Sequence, residues 1–249
     1  MTRITLFCIL LIAVIASAES PQIALREDFD TLERWNERTF PNIDAHTGYT
    51  ITEKDDTTFL TARSDASASA LIYHETFNPY DYPILRWRWR VENIYPDADP
   101  DTKDGDDYAL RIYVFFEYDP EKAPLLMRIQ YGLAKRFYGE YPPWASVNYI
   151  WANQPPSRLF YDNPYTDRSK MFPLRGGEEH LGQWRQESVN VLDDYRRAFD
   201  EDPPRRASLA IMNDADNTGL AAVSHLDFIE VSAEPDRDND NDQKKGSSP

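Results

Sequence analysis

Cysteine is almost missing from this chain. The one example, Cys8, sits within the first eighteen residues. Disulfide bonds and thiol chemistry are therefore excluded from everything after that segment. Histidine is nearly as scarce, at four residues: His46, His74, His180 and His225. None has the spacing of metal ligands, which excludes a zinc site of the usual kind. Only nine glycines occur. They form no P-loop and no dinucleotide-binding fingerprint, and no G-x-S-x-G turn is present. Positive charge is in deficit: 27 Lys and Arg stand against 43 Asp and Glu, for a net charge of -16. Such a balance argues against nucleic acid and against anionic membrane surfaces as partners. Beyond the N-terminus no run is apolar enough to cross a membrane.

The N-terminus itself, "MTRITLFCILLIAVIASAES", has an early Arg3, an apolar run from Ile4 to Ile15, and Ala16-Ser17-Ala18. These are the three parts of a secretory leader. The apolar run is short of the ~20 residues that span a bilayer. Residues 1–18 are thus expected to be a removable signal peptide, and the protein periplasmic or secreted, without a membrane span after cleavage. Residues 234–249, "EPDRDNDNDQKKGSSP", are charged and free of aromatics. A segment of that composition cannot bury a core and reads as a disordered acidic tail. What lies between, residues 19–233, suits one domain.

Period-two alternation is the clearest signal in that domain. In "LRWRWRV", Leu85, Trp87, Trp89 and Val91 fall on one face and Arg86, Arg88 and Arg90 on the other. In "YALRIYVFFEY", Leu110, Ile112, Val114 and Phe116 alternate with Arg111, Tyr113, Phe115 and Glu117. Both patterns mark strands with one face on a core. "DASASALIYHETF", "SVNYIWA", "WRQESVNVL", "ASLAIMND" and "SHLDFIEV" are further strands by β-branched and aromatic content. "DDYRRAF", from Asp193 to Phe199, predicts one short helix with Asp193 as its cap. Helical spacing also runs through Pro120 to Gly139. "NQPPSRLFYDNPYTD" and "PLRGGEEH" read as long loops. The fold class is all-β: a single β-sandwich or jelly roll with long aromatic loops and one short helix.

If the two strongest strands share a sheet, their non-core face carries Arg86, Arg88, Arg90 and Arg111, with Tyr113 and Phe115 between. Guanidiniums suit bidentate contact with carboxylates, and aromatic rings suit the apolar faces of sugars. That face is a candidate glycan-binding surface. The alternative is that the arginines pair with the protein's own acids.

Two acidic loops adjoin it. Asp97, Asp99 and Asp101 have the first three spacings of an EF-hand loop, but Thr102 and Tyr108 stand where glycine and a bidentate glutamate are needed. "NDADNTG", Asn213 to Gly219, fails the same test, with His225 at the last position. Its Asp, Asn and Gly residues suit a shaped turn first. They also leave Asp106, Asp107, Asp214, Asp216 and Asn217 as loop contacts or oxygen ligands. No cofactor is required by these patterns; calcium is the one ion that the oxygen-rich loops leave open.

Enzymatic readings have less support. "EYDPE" places Glu117, Asp119 and Glu121 at alternate positions, similar to the E-x-D-x-E signature of jelly-roll endoglucanases. Pro120 opposes a central strand there. A β-eliminating lyase would need a group that neutralises a uronate and a base, types that Arg111 and Tyr113 supply.

The blocks "LRWRWRV", "DDYALRIYVFF", "LGQWRQESVNVLDDYRRAF" and "ASLAIMNDADNTGLAAVSHLDFIEV" resemble, in that order, the bacterial DUF3047 family. The resemblance covers roughly Phe29 to Val231. It implies an exported β-sandwich similar to carbohydrate-binding modules and lectin-like jelly rolls, and carries no activity with it. The functional expectation is a non-catalytic protein binding a glycan or cell-envelope component. A polysaccharide-degrading enzyme and an envelope assembly protein remain as alternatives.

Overall fold

The computed structural model describes residues 21–234 except 122, 126, 129, 130, 133, 134 and 136–140. The leader expected at 1–18 and the tail expected beyond Glu234 lie outside the described residues, as does part of the helical pattern between Pro120 and Gly139. Within that pattern Leu125, Met127, Arg128, Tyr131, Gly132 and Lys135 are helical.

The strands run in chain order as β1 (Ile23–Glu27), β2 (Trp35–Arg38), β3 (Gly48–Lys54), β4 (Thr57–Asp65), β5 (Ala68–Phe77), β6 (Ile84–Val91), β7 (Arg111–Phe116), β8 (Ala145–Ala152), β9 (Tyr161–Asn163), β10 (Thr166–Gly176), β11 (Arg185–Asn190), β12 (Ala207–Asp214) and β13 (Ala221–Ser232). They form two sheets. One has the order β11-β6-β13-β4-β3, with β1 also paired to β13; the other is β2-β5-β12-β7-β8-β10-β9. Every pairing is antiparallel except β8 with β10.

Alternation decides which side chains meet between the sheets. In β6, Leu85, Trp87, Trp89 and Val91 are buried while the intervening arginines are only partly so. In β7, Ile112, Val114 and Phe116 point the same way, into the core. Trp87 packs on Tyr149 of β8 with ring centroids 5.3 Å apart, and Trp89 on Trp151 at 5.7 Å. These contacts join the sheets face to face. An indole burying ~200 Å² stabilises by roughly 5 kcal/mol before entropy at ~25 cal/mol per Å². The tryptophan-rich core thus carries much of the stability of a sandwich that has no cysteine among its described residues.

The helix α1 (Val191–Phe199) forms as expected, but its cap is Asn190, not Asp193. The Asn190 side chain accepts from the backbone N–H of Leu192 and Asp193. Asp193 is instead inside the first turn, where its charge complements the helix dipole. Two of the expected loops are in part strands. β9 lies within "NQPPSRLFYDNPYTD", and β10 runs into "PLRGGEEH" as far as Gly176. Proline misled the reading here. Pro173 sits inside β10, where the register with β8 shifts between Pro173 and Arg175. Such an irregularity is where a strand tolerates a missing N–H.

The alternation makes a sharp prediction. Trp89→Ala should destabilise the protein by ~3–5 kcal/mol as a core cavity. Arg88→Ala, one residue away, should stay within ~1 kcal/mol, since its pair with Asp227 is partly exposed. Urea denaturation of the two variants checks this.

Candidate functional site

The two arginine-bearing strands do not share a sheet. β6 belongs to the six-stranded sheet and β7 to the seven-stranded one. Both turn their apolar residues inward, so their polar residues emerge on opposite faces of the sandwich. The expected single face of four arginines is therefore corrected: Arg86, Arg88 and Arg90 lie on one side, Arg111 and Tyr113 on the other.

The β6 arginines are engaged by their own chain. Arg86 donates to Glu230 and to the Ser232 hydroxyl, at 3.3 and 2.8 Å. Arg88 donates to Asp227 at 3.0 Å. Arg90 pairs with Glu92 at 2.7 Å. The guanidiniums of Arg88 and Arg90 both lie over the Trp184 ring. Nearby, burial followed by the Arg90 charge holds the His225 imidazole down to about 4. This face reads as an internally paired surface.

On the other side Arg111 is almost wholly buried. Its Nε and Nη2 grip both oxygens of Asp214. Nη1 donates to the Asp106 carboxylate at 3.0 Å, and Nη2 to the Asp106 carbonyl. A planar fork makes such contacts without strain; an ammonium would not. The Arg111 guanidinium therefore holds the protein together at this point and has little left to offer a ligand.

Asp107 completes the anchor. Its carboxylate accepts from the backbone N–H of Asn217 and Thr218, at 3.3 and 2.6 Å. The Asp214 amide donates to the Tyr108 carbonyl, and the Tyr108 amide returns a bond to the Asp214 carboxylate. Gly219, at φ +67°, closes the turn onto the Ala215 carbonyl. The "NDADNTG" segment is thus a pinned turn. Asp214 is sealed inside it, while Asp216 and Asn217 face a cleft.

Charge is crowded here. Asp107, Asp214 and Asp216 place carboxylate oxygens within 4.8 Å of one another, and these are the residues that could hold a divalent cation. Asp107 and Asp214 already accept bonds from the chain, whereas Asp216 has no side-chain partner among the described residues. Burial pushes the Asp214 carboxyl up to about 7, against the pull of Arg111 and with Asp107 and Asp106 adding to the rise. Burial, then Asp107, raises Asp216 as well. Burial opposes the Arg111 charge, yet Asp106 and Asp214 more than offset it and raise that group well above its ordinary value.

The cleft runs over the outer face of the seven-stranded sheet and encloses about 1290 Å³. Tyr113 and Phe115 stack on its floor, 5.1 Å apart and tilted by 16°. Asp216, Asn217 and Tyr165 stand at one end. Tyr118, Tyr131 and Tyr141 stand elsewhere on its lining, with Tyr118 in ring contact with the other two. Of the residues expected to act together, Arg111, Tyr113, Asp106, Asp107, Asp214, Asp216 and Asn217 do converge. Glu117, Asp119 and Glu121 follow the end of β7 rather than lying on a strand, which removes the endoglucanase-like geometry. Asp99 turns its carboxylate onto the Asp101 amide, and Asp101 pairs with Arg158.

Sequence reasoning missed Ser146, Asn148 and Ser169, which are joined on the cleft side of β8 and β10. A signal was present. "SVNYIWA" alternates Ser146 and Asn148 with Val147, Tyr149 and Trp151, and every residue of that strand is buried. Polar side chains on a fully buried strand need partners.

Two stability predictions follow from the Arg111 hub. Arg111→Met strands two buried carboxyls, a loss of ~3–5 kcal/mol at neutral pH that shrinks as they take up protons in acid. In the unaltered protein Asp214 titrates above its ordinary value. Its contribution is fully present below about pH 4 and is lost as pH rises through about 7. Asp214→Asn should flatten that slope. Urea midpoints at several pH values read both effects.

Solved structures offer distant likenesses. The glycoside hydrolase domain of Endo-D from Streptococcus pneumoniae matches 80% of this chain at 10% identity and a TM-score of 0.31; the match spans 22% of that chain. A structure reported with the endo-acting O-glycanases by which members of the human gut microbiota initiate mucin breakdown matches 85% of this chain and 99% of its own, at 12% identity and a TM-score of 0.40. Winged bean acidic lectin, solved with methyl-alpha-D-galactose, matches 80% of this chain and 98% of its own, at 11% identity and 0.35. No curated protein matches. The model of one family covers residues 33–230, almost the whole sandwich: the chain belongs to DUF3047, a family described as a protein of unknown function.

Proposed function

We propose that this protein binds a glycan, or a glycan-bearing component of the cell envelope, in the cleft over the seven-stranded sheet. The observation that carries the reading is the composition of that cleft. Stacked aromatic rings form its floor, and hydroxyl, amide and carboxylate groups surround them. Sugar rings have apolar C–H faces and polar edges, and such a surface meets both. The leader-like N-terminus supports a periplasmic or secreted location, where such ligands occur. The binding residues in this reading are Tyr113 and Phe115 on the floor, with Asp216 and Asn217 at the rim. Arg111, Asp106, Asp107 and Asp214 hold the rim in place. Arg86, Arg88 and Arg90 have no part in it.

One observation favours turnover as a second reading. A carboxyl held near neutrality, Asp214, stands beside Asp216 at the end of the cleft. Hydrolysis of glycosidic bonds uses one protonated and one ionised carboxyl. The grip of Arg111 on both Asp214 oxygens weighs against it. The third reading, an assembly protein of the envelope, is supported by the paired arginines on the opposite face.

Calorimetric titration with a panel of oligosaccharides tests the proposal. Saturating heat is expected for at least one sugar class. Tyr113→Ala and Phe115→Ala should each weaken it by at least about tenfold, while Arg88→Ala leaves it unchanged. Heat that continues after each injection would favour turnover. Silence across the panel, or loss of binding in Arg88→Ala alone, would overturn the assignment.

A further inference from the structure

The cleft's charged groups are unequally engaged. Among the described residues three arginines line it: Arg38, Arg111 and Arg168. Arg111 is held by Asp106 and Asp214. Arg168 donates to Glu201, to the Trp144 carbonyl and to the Tyr195 hydroxyl. Arg38 has an interaction of its own. Among the described residues no lysine lines the cleft; Lys103 lies 5.0 Å from the Tyr165 ring and Lys135 4.3 Å from the Tyr141 ring, both outside the wall. Among the acids, Glu117 pairs with Arg206, while Asp216 has no cation beside it other than the engaged Arg111. Among the described residues the cleft therefore presents a carboxylate without a cation partner and no free guanidinium.

The floor points the same way. Asn148 is completely buried. Its Nδ2 donates to the Ser169 hydroxyl at 2.9 Å and to the Lys170 carbonyl at 3.2 Å. A carbonyl only accepts, so the amide cannot be flipped. Its Oδ1 is left without a partner. Alternation puts this side chain on the cleft face: Val147 and Tyr149 point into the core, Asn148 bonds Ser169 of the cleft wall, and its register partner is Tyr113 of the floor. A buried carbonyl oxygen without a donor is unfavourable, and is the kind of group that a bound water beneath a ligand completes.

Resting on the glycan reading, we propose that the cleft selects a saccharide bearing a free amine, with the ammonium at Asp216 and ring hydroxyls over Tyr113 and toward Ser146 and Ser169 of the wall, and that it rejects uronates. The acceptors need donors, and an ammonium supplies both donors and charge.

The test compares three oligosaccharides of equal length by calorimetry at mildly acidic pH and low salt: oligoglucosamine, its N-acetylated counterpart and oligogalacturonate. The amine form should bind at least about tenfold more tightly than the acetylated form, and the galacturonate should not bind. Asp216→Asn, close to isosteric, should weaken the amine form at least about tenfold and so remove its advantage over the acetylated one. Galacturonate binding as tightly as the amine, or amine preference surviving in Asp216→Asn, would overturn the inference and leave glycan binding intact. Silence from all three overturns it as well; silence from the wider panel in addition would remove the glycan reading.

Discussion

One guanidinium organises the functional side of this molecule. Arg111 begins β7, and its fork reaches the end of β12 and the loop before its own strand. Two stretches 103 residues apart in sequence are fixed by that single planar group. The alternative is costly: without a cation, the buried Asp106 and Asp214 would face each other and Asp107 across a few ångströms. Burial would then favour protonation or local opening of the turn. Because the pair is made, the turn from Asn213 to Gly219 keeps one shape, and Asp216 and Asn217 are held at the edge of the cleft.

The sandwich assigns different tasks to its two outer faces. Across the six-stranded sheet, guanidiniums and carboxylates pair neighbour to neighbour, and Trp184 covers two of them. Nothing there asks for a ligand. Across the seven-stranded sheet, the walls rise around stacked rings; the Asp216 carboxylate has no side-chain partner among the described residues, and the Asn148 carbonyl oxygen beneath lacks a protein donor. The core between the faces is aromatic, and its Trp–Trp and Trp–Tyr contacts make the platform rigid enough to hold such a surface.

Much of this was readable from side-chain pattern. The inward faces of β6 and β7 followed directly from alternation, as did the all-β class. What alternation cannot supply is the sheet to which a strand belongs. β6 and β7 are consecutive, yet β6 pairs with β11 and β13, and β7 with β8 and β12. Those partners are far along the chain, and only the folded topology brings them together. Hence the four arginines were assigned to one face when they occupy two. Composition misled in a second way. The proline-rich stretch from Gln154 to Asp167 conceals β9, and Pro173 conceals β10, because a register shift accommodates what a regular strand would not. The acidic turn was legible as a turn, and its residues did converge with Arg111. Its anchoring by Asp107 was not, since backbone N–H groups leave no mark in a sequence.

The central claim is that ligand meets the seven-stranded face, beside the turn that Arg111 holds. Chemical-shift mapping of isotope-labelled protein, titrated with an oligosaccharide that binds, tests it most directly. Shifts are expected at Tyr113, Phe115, Ser146, Ser169 and Asp216–Asn217, with β6 and Trp184 unmoved. Shifts centred on Trp184 and the β6 arginines, with the Tyr113 face silent, would contradict it.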